Sequence, residues 1–206
     1  MAIVIGKRPE QPQSKFFSPK PDTTYKLTLL CNLDEIVSCD QFELWETKPA
    51  VIWPDVGPSD PGHGLHLRPQ WRSFIPVLVD DSPDVVIWAM KRKQHEAIVE
   101  AAEAAEEDTK GMIIQFKRIG SGLTTRYTIT ATPKRARSLP SKITTPQEII
   151  QMLNERPADE VRKEIATKMN MAWPDIVEMF NEKHQADLEK KAAEKKAGKD
   201  GEVELL

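Results

Sequence analysis

Residues 111–132 read GMIIQFKRIGSGLTTRYTITAT. Two alternating runs flank Gly120-Ser121-Gly122, which predicts an antiparallel hairpin with strands over 111–119 and 124–132. Met112, Ile114 and Phe116 share one face of the first strand, and Tyr127 and Ile129 share one face of the second. Successive side chains of a strand point to opposite sides. The other face therefore carries Gln115 and Lys117 beside Arg126, Thr128 and Thr130, and Lys117 and Arg126 are expected to project together into solvent.

Working outward from that hairpin, more strands precede it. Tyr25–Leu30 alternates, with Tyr25, Leu27 and Leu29 inward and Lys26 and Thr28 outward. Cys39–Glu46 alternates as well; Phe42 and Leu44 face the core, which turns Gln41, Glu43 and Trp45 out. Trp71–Val79 and Val85–Met90 are apolar, β-branched runs joined by Asp80-Asp81-Ser82-Pro83-Asp84, a second hairpin. Residues 91–108 hold strong helix formers without Gly or Pro, with Ile98, Ala101, Ala102 and Ala105 as the apolar stripe. Lys91, Arg92 and Lys93 open this helix and acids close it, the reverse of what the helix dipole favours. That reversal marks the three cations as ligand candidates.

Four prolines within residues 1–24 predict an extended arm, and the Pro- and Gly-rich residues 54–69 predict a long loop. Beyond residue 142 the sequence turns helical, starting with the capping box Thr145-Pro146-Gln147-Glu148. Further helices are expected near 158–169 and from Trp173. The expected organisation is an arm (1–24), a nucleic-acid-binding domain (25–142), a helical region (143–198) and a short acidic tail (199–206). The fold expected is mainly β with α: an OB-type five-stranded barrel with an inserted helix, followed by the helical C-terminal region.

Composition bounds the function. The 206 residues are 39% apolar and 30% charged, with a net charge of −3. No apolar run approaches the roughly 20 residues of a membrane span, and the start shows no secretory signal pattern. Two cysteines are too few for a disulfide framework, which favours a reducing compartment. The charges are segregated: between Asp108 and Glu148 there is no acid, but there are Lys110, Lys117, Arg118, Arg126, Lys134, Arg135, Arg137 and Lys142. A chain built this way presents a basic face while acidic overall.

A basic face with aromatic platforms is what single-stranded nucleic acid requires, because cations follow the phosphates and every base has a π-face. The candidate contacts are Trp45, Trp53, Trp71, Arg72, Lys91, Arg92, Lys93, Lys117, Arg118, Arg126, Lys134, Arg135 and Arg137. Trp45 is placed outward by its register. Trp53 and Trp71 flank the long loop and suit either core or platform; Trp88, inside an apolar run, reads as core. Cys31, Cys39, His63 and His66 have spacings foreign to zinc knuckles, so no metal or cofactor is expected. His95 and His184 read as surface residues. Phosphate loops, HExxH and GxSxG are missing, and Asp80, Asp81 and Asp84 read as a turn; no enzyme is expected.

The stretch from Arg72 to Thr132 resembles bacteriophage single-stranded-DNA-binding (helix-destabilising) proteins. The resemblance rests on Arg72, Phe74, Pro76 and Val77, then Ile87 and Trp88. It continues through Ile114, Phe116, Lys117, Arg118, Gly120, Gly122, Thr125, Tyr127 and Ile129. It implies an OB fold, single-stranded DNA binding in phage replication or recombination within the cytoplasm of the infected host cell, and no catalysis. It also implies self-association on DNA, and recruitment of replication or recombination proteins by the tail, here Asp200, Glu202, Glu204, Leu205 and Leu206. The alternatives are a scaffold acting through its C-terminal helices and an RNA-directed binder of the same fold.

Overall fold

Seven alternating or apolar runs become strands: β1 (Thr24–Leu29), β2 (Val37–Leu44), β3 (Val51–Pro54), β4 (Gln70–Val79), β5 (Val85–Lys91), β6 (Met112–Ile119) and β7 (Arg126–Arg135). Five helices join them: α1 (Pro61–Gly64), α2 (Arg92–Ala105), α3 (Pro146–Asn154), α4 (Ala158–Met169) and α5 (Trp173–Asp200). The computed structural model describes residues 16–80, 82–105, 108–121, 125–136, 138–154 and 156–200. The architecture is mixed α/β, an open antiparallel sheet followed by C-terminal helices. Chain contacts divide it into two compact units, residues 1–38 with 72–150 and residues 39–71 with 151–206. The units are discontinuous in sequence, unlike the consecutive segments expected.

In the first unit five strands pair in the order β5-β4-β1-β6-β7. The closed five-stranded barrel expected from the sequence is not formed among the described residues. The reason is α2. A barrel buries its apolar side by wrapping the sheet on itself, whereas here α2 packs against both end strands, β5 and β7. Its Ile98 and Ala102 join Leu27, Leu29, Ile75, Val77, Trp88, Met90, Ile114 and Phe116 in one core. The described part of the N-terminal arm is docked on the sheet. Phe17 donates its N–H to the Ile87 carbonyl at 2.8 Å, and its ring meets Tyr25, Trp88 and Phe116 edge-on.

The second unit has its own core. Phe42, Leu44, Val51 and Trp53 of the β2–β3 hairpin meet Val161 and Ile165 of α4 and Ile176 and Phe180 of α5. The segment expected as a long loop holds a short helix and contributes to this core. Asp60 caps α1, accepting from the Gly62 N–H at 2.7 Å, and Leu65 is buried. Gly62 lies so near Phe42 that a Cβ there would sit 2.3 Å from the ring. The capping box at Thr145 forms as expected: Thr145 N–H donates to Glu148 at 2.8 Å and Glu148 N–H to Thr145 Oγ1 at 3.2 Å.

Candidate nucleic-acid interface

Strand register decides which side chains share the outer face of the first unit. Lys117 lies opposite Thr128 and Ile119 opposite Arg126, so Lys117 and Arg126 share a face, as the alternation predicts. Across the other edge of β6, Thr24 lies opposite Lys117 and Lys26 opposite Gln115. The face of β1, β6 and β7 thus carries Lys26, Lys117 and Arg126 with Gln115, Thr24, Thr128 and Thr130. None of its strand positions holds Asp or Glu. All seven are exposed except Lys117, which is half-buried. Toward β4 the face turns apolar, through Leu78 and the buried Pro76 and Phe74. Phe16 stands edge-on to Phe74, 6.5 Å between centroids.

Folding occupies several of the predicted cations. Arg72 is a correction: it is only 8% exposed, inside a strand paired to β5. Arg118 falls in the opposite register from Lys117, is half-buried, and donates from Nη1 to the Pro19 carbonyl at 2.9 Å, fastening the arm. Arg135 is exposed but donates from Nη2 to the carbonyls of Asp108 and Lys110, where the chain enters β6. Lys91, Arg92 and Lys93 are exposed at the junction of β5 and α2, at the other end of the strand order from β7. The Lys91 N–H donates to Gln94 Oε1 at 2.7 Å. The side chain of Lys134, residue Arg137, the side chain of Asp200, and Glu202, Glu204, Leu205 and Leu206 lie outside the described residues.

The aromatic candidates belong to the second unit. Trp45 is 67% exposed, as its register predicts, and its indole Nε1–H donates to Glu43 Oε2 at 3.2 Å. Trp53 is a correction: it is 2% exposed, lies tilted against the Phe42 ring, and donates to the buried Asp60 carboxylate at 2.8 Å. Its ring is core and offers no face to a base. Trp71 is half-buried. Lys26 is a face residue missing from the sequence candidates. Its outward turn was legible, but not the β1–β6 pairing that sets it beside Gln115 and Lys117.

The cysteines and histidines are held by separate surroundings. Burial pushes the Cys31 thiol up to about 12, with the Glu35 charge adding to it, and burial also raises Cys39, to about 11. Both stay protonated and poorly nucleophilic near neutrality. His63 Nε2 lies 3.2 Å from Asp55, and His66 Nε2 lies 2.7 Å from Asn181 Oδ1 while its ring stacks on His184. His95, expected at the surface, is half-buried, and desolvation lowers its pKa. Among the described residues no three His, Cys, Asp or Glu side chains gather as metal ligands, and no helix is long and apolar enough to cross a membrane. Compared with known proteins, the chain matches no family model, no curated protein and no solved structure.

Proposed function

We propose that this chain binds single-stranded DNA, with little preference for sequence along most of its track, through the outer face of β1, β6 and β7. The observation that supports the reading is a face with no Asp or Glu at its strand positions, on which Lys117 and Arg126 stand without a described partner beside Lys26, threonines and Gln115. Cations attract the phosphates, and hydroxyl and amide side chains add hydrogen bonds to the backbone oxygens. The run β5-β4-β1-β6-β7, with a helix inserted between β5 and β6, supports reading this unit as a relative of OB-type sheets. A role in phage genome replication or recombination belongs to the same proposal and rests on the resemblance of residues 72–132.

A scaffold role has one observation in its favour. The outer half of α5, residues 181–195, is exposed throughout, so a helix surface stands open to a partner protein. The titration that separates the two readings uses a fluorescent single-stranded oligonucleotide at several salt concentrations. Three phosphate-neutralising cations at about 0.7 each give a slope of log K against log salt of about −2. A flat salt response, or no binding at low salt, overturns the DNA reading and leaves the scaffold.

A further inference from the structure

A groove of about 500 Å³ opens beside the proposed DNA face. Lys26 belongs to both, since it sits opposite Gln115 on the face and also lines the groove. We propose that this groove is a base-reading subsite, taking one nucleotide of a bound strand and favouring bases that carry an exocyclic amino group. The proposal rests on the DNA reading above and adds to it a single position at which sequence matters.

The volume lies within the roughly 300–1,000 Å³ of small-molecule sites. Leu78, Ile113 and Leu139 give the groove an apolar wall and Thr28 a hydroxyl; none of its described lining residues is aromatic. A base would therefore be held by aliphatic contact on its faces and by hydrogen bonds at its edge. The group that can read that edge is Asp80. It is tied to β1 twice: its backbone N–H donates to the Lys26 carbonyl at 2.7 Å, and its side-chain Oδ1 accepts from the Lys26 N–H at 2.9 Å. Its backbone holds a left-handed φ of 54° in the turn, and the bond from the Lys26 N–H fixes the carboxylate.

An ionised carboxylate only accepts, and one bond to Oδ1 leaves it further acceptor capacity. Cytosine N4, adenine N6 and guanine N2 each offer an amino hydrogen to such a group. Thymine presents a carbonyl there instead, oxygen against oxygen. Lys26, common to the face and the groove, marks where a strand would pass from one into the other. One continuous path then runs from the face into the groove.

The test compares a strand of thymidines with a strand of equal length carrying scattered cytidines, by fluorescence anisotropy at low salt. The cytidine-containing strand is expected to bind the native chain about fivefold tighter, the effect of one solvent-accessible charged hydrogen bond. Asp80→Asn tolerates the left-handed turn, keeps an oxygen for the Lys26 N–H and adds a donor that thymine can accept. It should erase the difference without weakening binding to thymidines. Leu139→Ala should lower affinity for the cytidine-containing strand and leave folding intact. Equal binding of both strands by the native chain, or a preference that survives Asp80→Asn, overturns the subsite alone. Binding to neither strand overturns the DNA reading together with it.

Discussion

The two units spend their charged side chains differently. In the second unit several cations are tied to the fold. Arg156 pairs with Glu164 and donates to the Ile52 carbonyl; Lys168 pairs with Glu164 at 2.7 Å; Lys183 pairs with Glu46 at 2.9 Å. In the first unit Arg118 and Arg135 are likewise bound to backbone carbonyls, but Lys117 and Arg126 stand on an outer face without a described partner. Charge available to a ligand is the charge that folding leaves unused, and a count along the sequence does not reveal it. Eight cations without an intervening acid suggested a broad basic surface. Register reduces the supported part of it to a narrow band around Lys117 and Arg126 on β6 and β7.

Substitutions at the two cores should give the largest effects and test whether each unit is built as described. Phe116 is fully buried and its ring meets Phe17, Trp88 and Tyr127. Phe116→Ala should cost about 3–5 kcal/mol in chemical denaturation, because the cavity forms among rigid strands. In the second unit the corresponding weak point is overcrowding. Gly62→Ala places a methyl 2.3 Å from Phe42, and both lie in packed surroundings. A loss of about 1–3 kcal/mol is expected. Hydrogen exchange should show β1 and β6 opening in the first variant, and α1 and the β2–β3 hairpin in the second. A Gly62→Ala protein as stable as the native chain would show that Phe42 can yield.

A middle-sized effect separates ligand binding from stability. Lys117→Ala with Arg126→Ala removes two cations from the face. The salt slope should fall by about 1.4 and low-salt affinity by roughly tenfold or more. The melting temperature should move little, since neither side chain packs in the core. Arg118→Ala is the contrasting variant: it unfastens the arm from the sheet and should lower stability. If Arg118→Ala and the double variant weaken binding equally at unchanged stability, the face has been assigned to the wrong side of β6.

Much of the fold was legible because local pattern and tertiary packing agree. The hairpin at 111–132 forms with β6 and β7 within a few residues of the expected bounds. The capping box at Thr145 was readable because the side chain of each partner satisfies the other's backbone. β3 was missed: four residues ending in proline give no alternation to count, and their partner β2 was read alone. Trp53 stayed ambiguous for the same reason, since its burial depends on Asp60 from the following turn accepting the indole N–H. Barrel closure was expected because strand order alone does not say where a helix will lie, and α2 against β5 and β7 decided it. The partition into units was hidden too, because residues 39–71 pack with helices that begin more than eighty residues later.

The smallest expected effect is electrostatic and should fall on one unit. Burial alone would raise the Glu164 pKa, but the Lys168 hydrogen bond and the Arg156 charge outweigh it and hold the carboxyl below its ordinary 4.5. Glu46 behaves in the same way through Lys183, again against its own desolvation. A carboxyl whose folded pKa is depressed contributes stability that is present above the unfolded value and lost as pH falls through the folded one. The second unit should therefore weaken below about pH 4.5. The groups are partly exposed, so solvent screening limits each pair to about 0.2–1 kcal/mol. Amides of α4 should lose exchange protection on acidification before those of β1 and β6 do. Glu164→Gln should flatten that response while costing little at neutral pH, and salt should weaken it in the native chain. If α4 and β6 lose protection together at every pH, the ion pairs are ornaments of the surface, and the contrast between the units rests on their cores alone.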